Sequence, residues 1–307
     1  MSKIAILFPG QGAQALGMGK DLAEQVPECR ALFERANEVL GFDLAHICFE
    51  GPDEELTKSN RAQPAIFVVS AAAYEALKHQ RPDLRPAAVA GLSSGEWAAL
   101  YAAGSVSFDD ALRVLEARGR FMQAACEQSA GGMLSVIGLP VERLQSIAAE
   151  CGVEIANLNS PEQTVLSGPV PGIERAEGMS KEAGAKRAIR LNVAGAFHSR
   201  LMEPAAEQLK AFLDTITLEP PTMPVVSNVK GAPFASVDEI REAMVQQVTH
   251  SVRWVDDVRW IREQGVSTLV ECGPGKVLSG LVKRIDKQAA IHNIQDHASL
   301  TAVLGRL

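Results

Sequence analysis

The stretch Ala88-Val89-Ala90-Gly91-Leu92-Ser93-Ser94-Gly95-Glu96-Trp97 constrains this chain more than any other. An apolar run ends in Gly-x-Ser-x-Gly and passes at once into the helix-prone Ala98, Ala99, Leu100, Tyr101 and Ala102. Strand, sharp turn and helix is the context in which this motif makes a nucleophile elbow. Gly91 and Gly95 stand two residues to either side of Ser93, so the backbone can turn tightly and leave that hydroxyl clear. Ser94 lacks the matching glycines, which makes Ser93 the expected nucleophile. Ser94 is then placed to offer a backbone N–H at a helix start, where donors lack partners and the dipole favours an anion. A chain this long shows the bare pattern by chance roughly one time in ten. The alternative is a glycine-rich turn capping a helix, so the motif needs companions.

The 307 residues suit one large domain, or a large domain with a smaller one inserted. A hydrophobic fraction of 47% with 22% charged residues describes an ordinary globular chain with enough length for a sizeable core. The net charge of −7 argues against a broad nucleic-acid-binding face. Cys29, Cys48, Cys126, Cys151 and Cys272 are scattered without a Cys-x-x-Cys pair, which predicts reduced thiols rather than a disulfide frame or zinc site. Lys3–Phe8 reads as a strand with no basic-then-apolar leader before it, so a cytoplasmic location is expected. The longest greasy stretch, Ala65 to Ala73, is far short of the ~20 residues that span a bilayer and reads as a buried helix.

Along the chain, Pro9-Gly10-Gln11-Gly12-Ala13-Gln14 follows the first strand as a loop whose N–H groups can approach a ligand. Apolar spacing predicts helices over Pro27–Leu40 and Gln63–Leu77. Ser107-Phe108-Asp109-Asp110 has a capping-box-like pattern and opens a helix to about Cys126 that carries Arg113, Arg118 and Arg120. The rhythm then changes. Met133–Ile137, Val153–Ala156, Gln163–Leu166 and Lys186–Leu191 read as strands, with helices at Val141–Glu150 and Gly172–Ala183 and a turn at Asn157–Pro161. That βαββαβ order predicts an inserted ferredoxin-like subdomain over residues 127–196. Residues 1–126 and 197–307 form the core, where strands alternating with helices predict a mostly parallel sheet. In the second part, Val225–Asn228 and Val266–Glu271 read as strands. Helices are expected near Leu201–Leu213, Val237–Gln247, Trp254–Glu263 and from Val277.

A serine hydroxyl needs a base. Among the six histidines, His198 is the best candidate, because it follows a glycine- and alanine-lined loop downstream of the elbow; His250 is second. No acid stands out between Ser93 and His198, and an amide or backbone carbonyl can fix a histidine tautomer instead.

Together these residues resemble the malonyl-CoA:acyl-carrier-protein transacylase family, nearly end to end. The motifs that carry the resemblance are Phe8-Pro9-Gly10-Gln11-Gly12-Ala13-Gln14, Gly91-Leu92-Ser93-Ser94-Gly95-Glu96, Ala117-Arg118-Gly119-Arg120-Phe121-Met122-Gln123, Gly195-Ala196-Phe197-His198-Ser199, Gln247 to Trp254, and Glu271-Cys272-Gly273-Pro274-Gly275-Lys276. The resemblance implies an α/β fold with a hydrolase-like core. It makes Ser93 the acylated nucleophile and His198 its base. Gln11 and Ser94 become oxyanion donors through their backbone N–H groups, Arg118 the partner of the malonyl carboxylate, and Gln247 the support of the histidine. A guanidinium offers two parallel donors to a carboxylate, which no neutral acyl group can return. One departure is Leu92, where the family commonly has histidine; it bears on how the malonyl carboxylate is solvated and how strictly the acyl group is chosen.

The implied reaction is malonyl transfer from malonyl-CoA, through an acyl-serine, to the phosphopantetheine thiol of an acyl carrier protein in fatty acid biosynthesis. The alternatives are a trans-acting acyltransferase of polyketide synthesis or an acyl-thioester hydrolase on the same fold. The expectation includes no resident cofactor or metal, no nucleic-acid or membrane partner, and a monomer. Lys186, Arg187, Arg190 and Arg200 are the expected docking patch for an acidic carrier.

Overall fold

The computed structural model describes residues 3–307. Its strands are β1 (Lys3–Phe8), β2 (Ala88–Gly91), β3 (Gly131–Ile137), β4 (Glu154–Ser160), β5 (Gln163–Pro169), β6 (Arg187–Arg190), β7 (Val225–Ser227), β8 (Ala232–Pro233), β9 (Val266–Cys272) and β10 (Ala290–Ile294). Six form one sheet in the order β10-β9-β1-β2-β7-β8, parallel throughout except for the short β8. Both faces of this sheet are buried, which is the condition a parallel sheet requires. Along β1, Ile4, Ile6 and Phe8 face the larger apolar cluster, and Ala5 and Leu7 face a second cluster with Trp254, Val258 and Leu278. The alternation follows from the two-residue period of a strand.

The larger cluster is built around the helix Ser59–Gln80, buried over most of its length. Such a helix is apolar on all sides because other elements surround it. It begins four residues before the predicted Gln63, with Pro64 inside it. Proline in the second turn removes a single hydrogen bond near the helix start and does not stop it. The helix Phe108–Gln128 packs alongside it. Ser107 Oγ accepts from the Asp110 N–H at 3.0 Å, the expected cap, while the Asp110 carboxylate pairs with Arg113 instead of closing a capping box.

The remaining strands form an antiparallel sheet in the order β4-β5-β3-β6, with the helices Val141–Cys151 and Val170–Glu182 on one face. That strand order is the ferredoxin-like one. Leu134, Val136 and Leu166 pack under those helices in an apolar cluster of their own, and Met133 and Val165 point the other way. Asn157 and Asn159 lie within β4 rather than in the expected turn, because β4 pairs with β5 through an irregular register as far as Ser160–Gln163. Among the described residues, no helix is long and apolar enough to cross a membrane.

Candidate active site

Ser93 sits just past the end of β2 with φ 54°, a left-handed conformation uncommon for a residue with a side chain. A Cβ on Gly91 would fall on the backbone of Gly95, and one on Gly95 would fall on the backbone of Phe8 and Pro9, so the two flanking positions admit only glycine. Strain of this kind costs about 1–3 kcal/mol and persists only where surroundings over-determine it. Here Asn228 does so from the end of β7. Its Oδ1 accepts from the Ser93 N–H at 2.7 Å, and its Nδ2 donates to the Gly91 carbonyl at 2.8 Å and to Asp257 Oδ2 at 2.9 Å.

His198 is buried and also left-handed, with φ 57°. Its Nε2 lies 2.8 Å from Ser93 Oγ, and its Nδ1 lies 2.7 Å from the Gln247 backbone carbonyl. A carbonyl only accepts, so Nδ1 carries the hydrogen and Nε2 presents its lone pair to the serine hydroxyl. The position that an acid would fill in a triad is held by a neutral carbonyl. Burial, and then the nearby Arg118 charge, push the His198 pKa down from 6.5 to about 4, against the opposing effect of the Gln247 bond.

Arg118 is 1% exposed, while Arg113 and Arg120 on the same helix pair with Asp110 and Glu116 at the surface. Its Nη2 donates to Ser93 Oγ at 3.2 Å and to Gln247 Oε1 at 3.0 Å, and its Nη1 donates to Gln63 Oε1 at 2.8 Å. Nε has no partner among the described residues. Burial lowers the guanidinium pKa to about 10, partly offset by Glu96, so the group stays cationic at neutral pH.

Ser94 caps the helix Gly95–Ala102, where its N–H meets no acceptor among the described residues. The Gln11 N–H donates to Ser94 Oγ at 3.2 Å, a long bond that an oxyanion would have to replace. The two expected donors therefore adjoin each other. Gln11 also reaches Ser59 Oγ through its side-chain amide at 3.0 Å.

Gln63, Asn228, Asp257 and Glu96 were not anticipated as members of this network. Asn228 directly follows the carboxyl end of β7, where ligand-side residues of a parallel sheet gather, and that was the available signal. Burial pushes the Glu96 pKa up, against hydrogen bonds from Gln247 and Asn228 and the Arg118 charge, and burial with the nearby Glu96 raises that of Asp257 well above the ordinary range. His250 is exposed and bonded to Thr249 and Gln246, away from Ser93.

Ser93, His198 and Arg118 open on a cleft of about 560 Å³ between the two sheets, walled by Met133, Asn157, Asn159 and Val165 on one side and Leu92, Lys276 and Leu281 on the other. A larger groove of about 670 Å³, near Tyr74 and Tyr101, holds none of these groups. Lys186, Arg187, Arg190 and Arg200 do not line the cleft; Lys186, Arg190 and Arg200 pair with Glu162, with Glu174 and Glu177, and with Glu154.

The family described as "Acyl transferase domain" matches residues 6–307. The chain is 43% identical to the malonyl CoA-acyl carrier protein transacylase of Bacillus subtilis, over all of this chain and 98% of that one. It superposes on the malonyl CoA-acyl carrier protein transacylase of Coxiella burnetii with a TM-score of 0.97 at 36% identity, covering 100% of this chain and 98% of that one. A malonyl-transacylase solved in complex with a type II polyketide acyl-carrier protein gives a TM-score of 0.96 at 41% identity, with both chains covered completely.

Proposed function

Because the chain belongs to the malonyl-CoA:acyl-carrier-protein transacylase family, we propose that its activity is the transfer of a malonyl group from malonyl-CoA to the phosphopantetheine thiol of an acyl carrier protein, with Ser93 as the group acylated on the way. The observation that carries this reading is one hydroxyl with a neutral imidazole at 2.8 Å and a guanidinium at 3.2 Å. An acyl-serine needs the first neighbour; a diacid thioester gives the second a purpose.

In the forward half-reaction His198 Nε2 takes the hydroxyl proton as Ser93 Oγ attacks the thioester carbon. The tetrahedral oxyanion is received by the Ser94 N–H and by the Gln11 N–H, released from Ser94 Oγ. A donor so placed is typically worth about 3 kcal/mol. The imidazolium formed is held by the Gln247 carbonyl and gives its proton to the departing CoA sulfur. The second half-reaction repeats these steps in reverse with the carrier thiol. Arg118 meets the free malonyl carboxylate in place of its contact with Ser93 Oγ, and its unpartnered Nε–H supplies a second donor for a bidentate pair.

A role in fatty acid biosynthesis, as a cytoplasmic monomer without a resident cofactor, completes the reading. Incubation with malonyl-CoA should add one malonyl mass to the protein, and Ser93→Ala should abolish the adduct. Undiminished labelling of that variant would end the proposal.

A further inference from the structure

Glu96 follows the elbow directly and is 1% exposed, yet no step above uses it. Both its oxygens accept hydrogen bonds, one from the Asn228 backbone N–H at 3.3 Å and the other from the Gln247 side-chain amide. That amide also donates to the Ser93 carbonyl at 3.1 Å, and its Oε1 accepts from Arg118 Nη2 at 3.0 Å. The orientation is forced. Turned over, the amide would set its NH2 against a guanidinium, which only donates, and its oxygen against a carbonyl and a carboxylate, which only accept. On the other side, Arg118 Nη1 donates to Gln63 Oε1, and Gln63 Nε2 donates to Gln11 Oε1 at 3.1 Å. The guanidinium is therefore suspended between two amides. Both groups bonded to Glu96 only donate, and with the Arg118 charge they favour its ionised form against the burial that raises its pKa; among the described residues, Glu96 is the carboxylate that terminates this chain.

We propose that Glu96 is a positioning residue: through the Gln247 amide it holds the Arg118 guanidinium at the angle that meets a substrate carboxylate, without touching substrate itself. The proposal rests on the reading of Arg118 given above. It separates two duties of Gln247. The backbone carbonyl orients His198 and does not depend on Glu96; the side chain orients Arg118 and does. Loss of the Glu96 acceptor should therefore fall on diacid donors and largely spare neutral ones.

Glu96→Gln keeps the volume but offers one acceptor and one donor where two acceptors are needed, so in either orientation a donor meets a donor. The test measures acylation of Ser93 from malonyl-CoA and from acetyl-CoA by rapid quench and intact mass. Glu96→Gln is expected to lower kcat/KM for malonyl-CoA by about tenfold or more, mainly through KM, and to change acetylation by less than about threefold. In an Arg118→Ala background the same change should leave the malonyl-to-acetyl ratio where that background sets it. Glu96→Asp, which keeps the charge but withdraws its reach, should give the same selective loss and serves if the amide variant does not fold. Equal losses for both donors, no loss for either, an undiminished effect without Arg118, or failure of both variants to fold would each overturn the proposal. If the unsubstituted protein does not acylate Ser93, or Arg118→Ala leaves the ratio unchanged, the functional reading itself fails. If both of those hold and Glu96→Gln does not move the ratio, only the present inference fails.

Discussion

The two sheets contribute to the cleft in different ways. The parallel sheet carries the groups proposed to react: Gln11 follows β1, Ser93 and Ser94 follow β2, and Asn228 follows β7, all at carboxyl ends of strands where backbone groups run out of partners. The antiparallel sheet supplies Met133, Asn157, Asn159, Gln163 and Val165, a wall without an ionisable group. The reactive side is buried and cross-bonded, and it fixes angles. The wall fixes only width and polarity. The two sides are joined where Leu158 donates to the Val252 carbonyl at 2.9 Å and Val252 donates to the Ala156 carbonyl at 2.8 Å. That clip holds the segment just after Gln247, so the wall steadies the histidine's support without entering the chemistry.

If the comparison is right, substitutions on the reactive side should be costly. The largest effect expected is from His198→Ala, which removes the proposed base, an imidazole 2.8 Å from Ser93 Oγ. Acyl-enzyme formation should slow by about 10³-fold, within the usual range for a general base. A loss under tenfold in single-turnover measurements would mean that another group takes the proton. Next is Arg118→Ala, expected to reduce malonylation about a hundredfold, since two charge-assisted hydrogen bonds are lost, and to leave acetylation within a few-fold. Parallel losses for both acyl groups would show the arginine to be structural.

Much of this side's geometry is legible in the sequence alone. Ser93 was marked by its two glycines, whose need the close approach of Gly91 to Gly95 explains. His198 stood out by its small-residue loop. Arg118 was placed through a resemblance, but it also occupies the apolar stripe Ala111, Leu115, Arg118, Met122, and a charge on a core-facing stripe is a physical signal in its own right. Glu96, Gln63 and Asp257 were not legible. Each is a buried polar group whose partners lie elsewhere in the chain, such as Gln247 for Glu96 and Asn228 for Asp257, and no local pattern reports a hydrogen bond made across the fold. The ferredoxin-like order was readable because it depends on local periodicity. The extra length of β4 was not, because cross-strand pairing with β5 overrides the turn preference of asparagine.

The electrostatics of the reactive side predict a smaller but distinctive effect of pH. As the proposed base His198 would act when neutral, and its pKa is lowered from 6.5 to about 4, first by burial and then by Arg118. Acylation should therefore stay nearly constant from neutral pH down to about 5 and be half lost near 4. The same displacement has a definite sign for stability. The unfolded chain takes up this proton below 6.5 and the folded chain only near 4, so His198's contribution to stability declines as pH falls through that window. A malonyl carboxylate on Arg118 cancels part of the repulsion, so the acid limb for malonyl-CoA should lie above that for acetyl-CoA. A limb at 6.5 for both would place His198 in water and dissolve the contrast between a dry reactive side and a neutral wall, whereas limbs coinciding near 4 would mean that the malonyl carboxylate does not neutralise Arg118.

The smallest effect should come from the wall. Gln163 donates to Ser135 Oγ at 3.1 Å and accepts from Arg284 at 2.9 Å, bridging the antiparallel sheet to the helix Val277–Ile285 on the opposite side of the cleft. Gln163→Ala opens that bridge but leaves every hydrogen bond to Ser93, His198 and Arg118 in place. An exposed pair of this kind is worth less than about 1 kcal/mol, so KM for acyl-CoA should rise by about threefold or less with kcat unchanged. The decisive quantity is the split. A fall in kcat at constant KM would mean that the wall sets the angle of attack on the thioester, and the division between a side that fixes geometry and a side that fixes width would have to be redrawn.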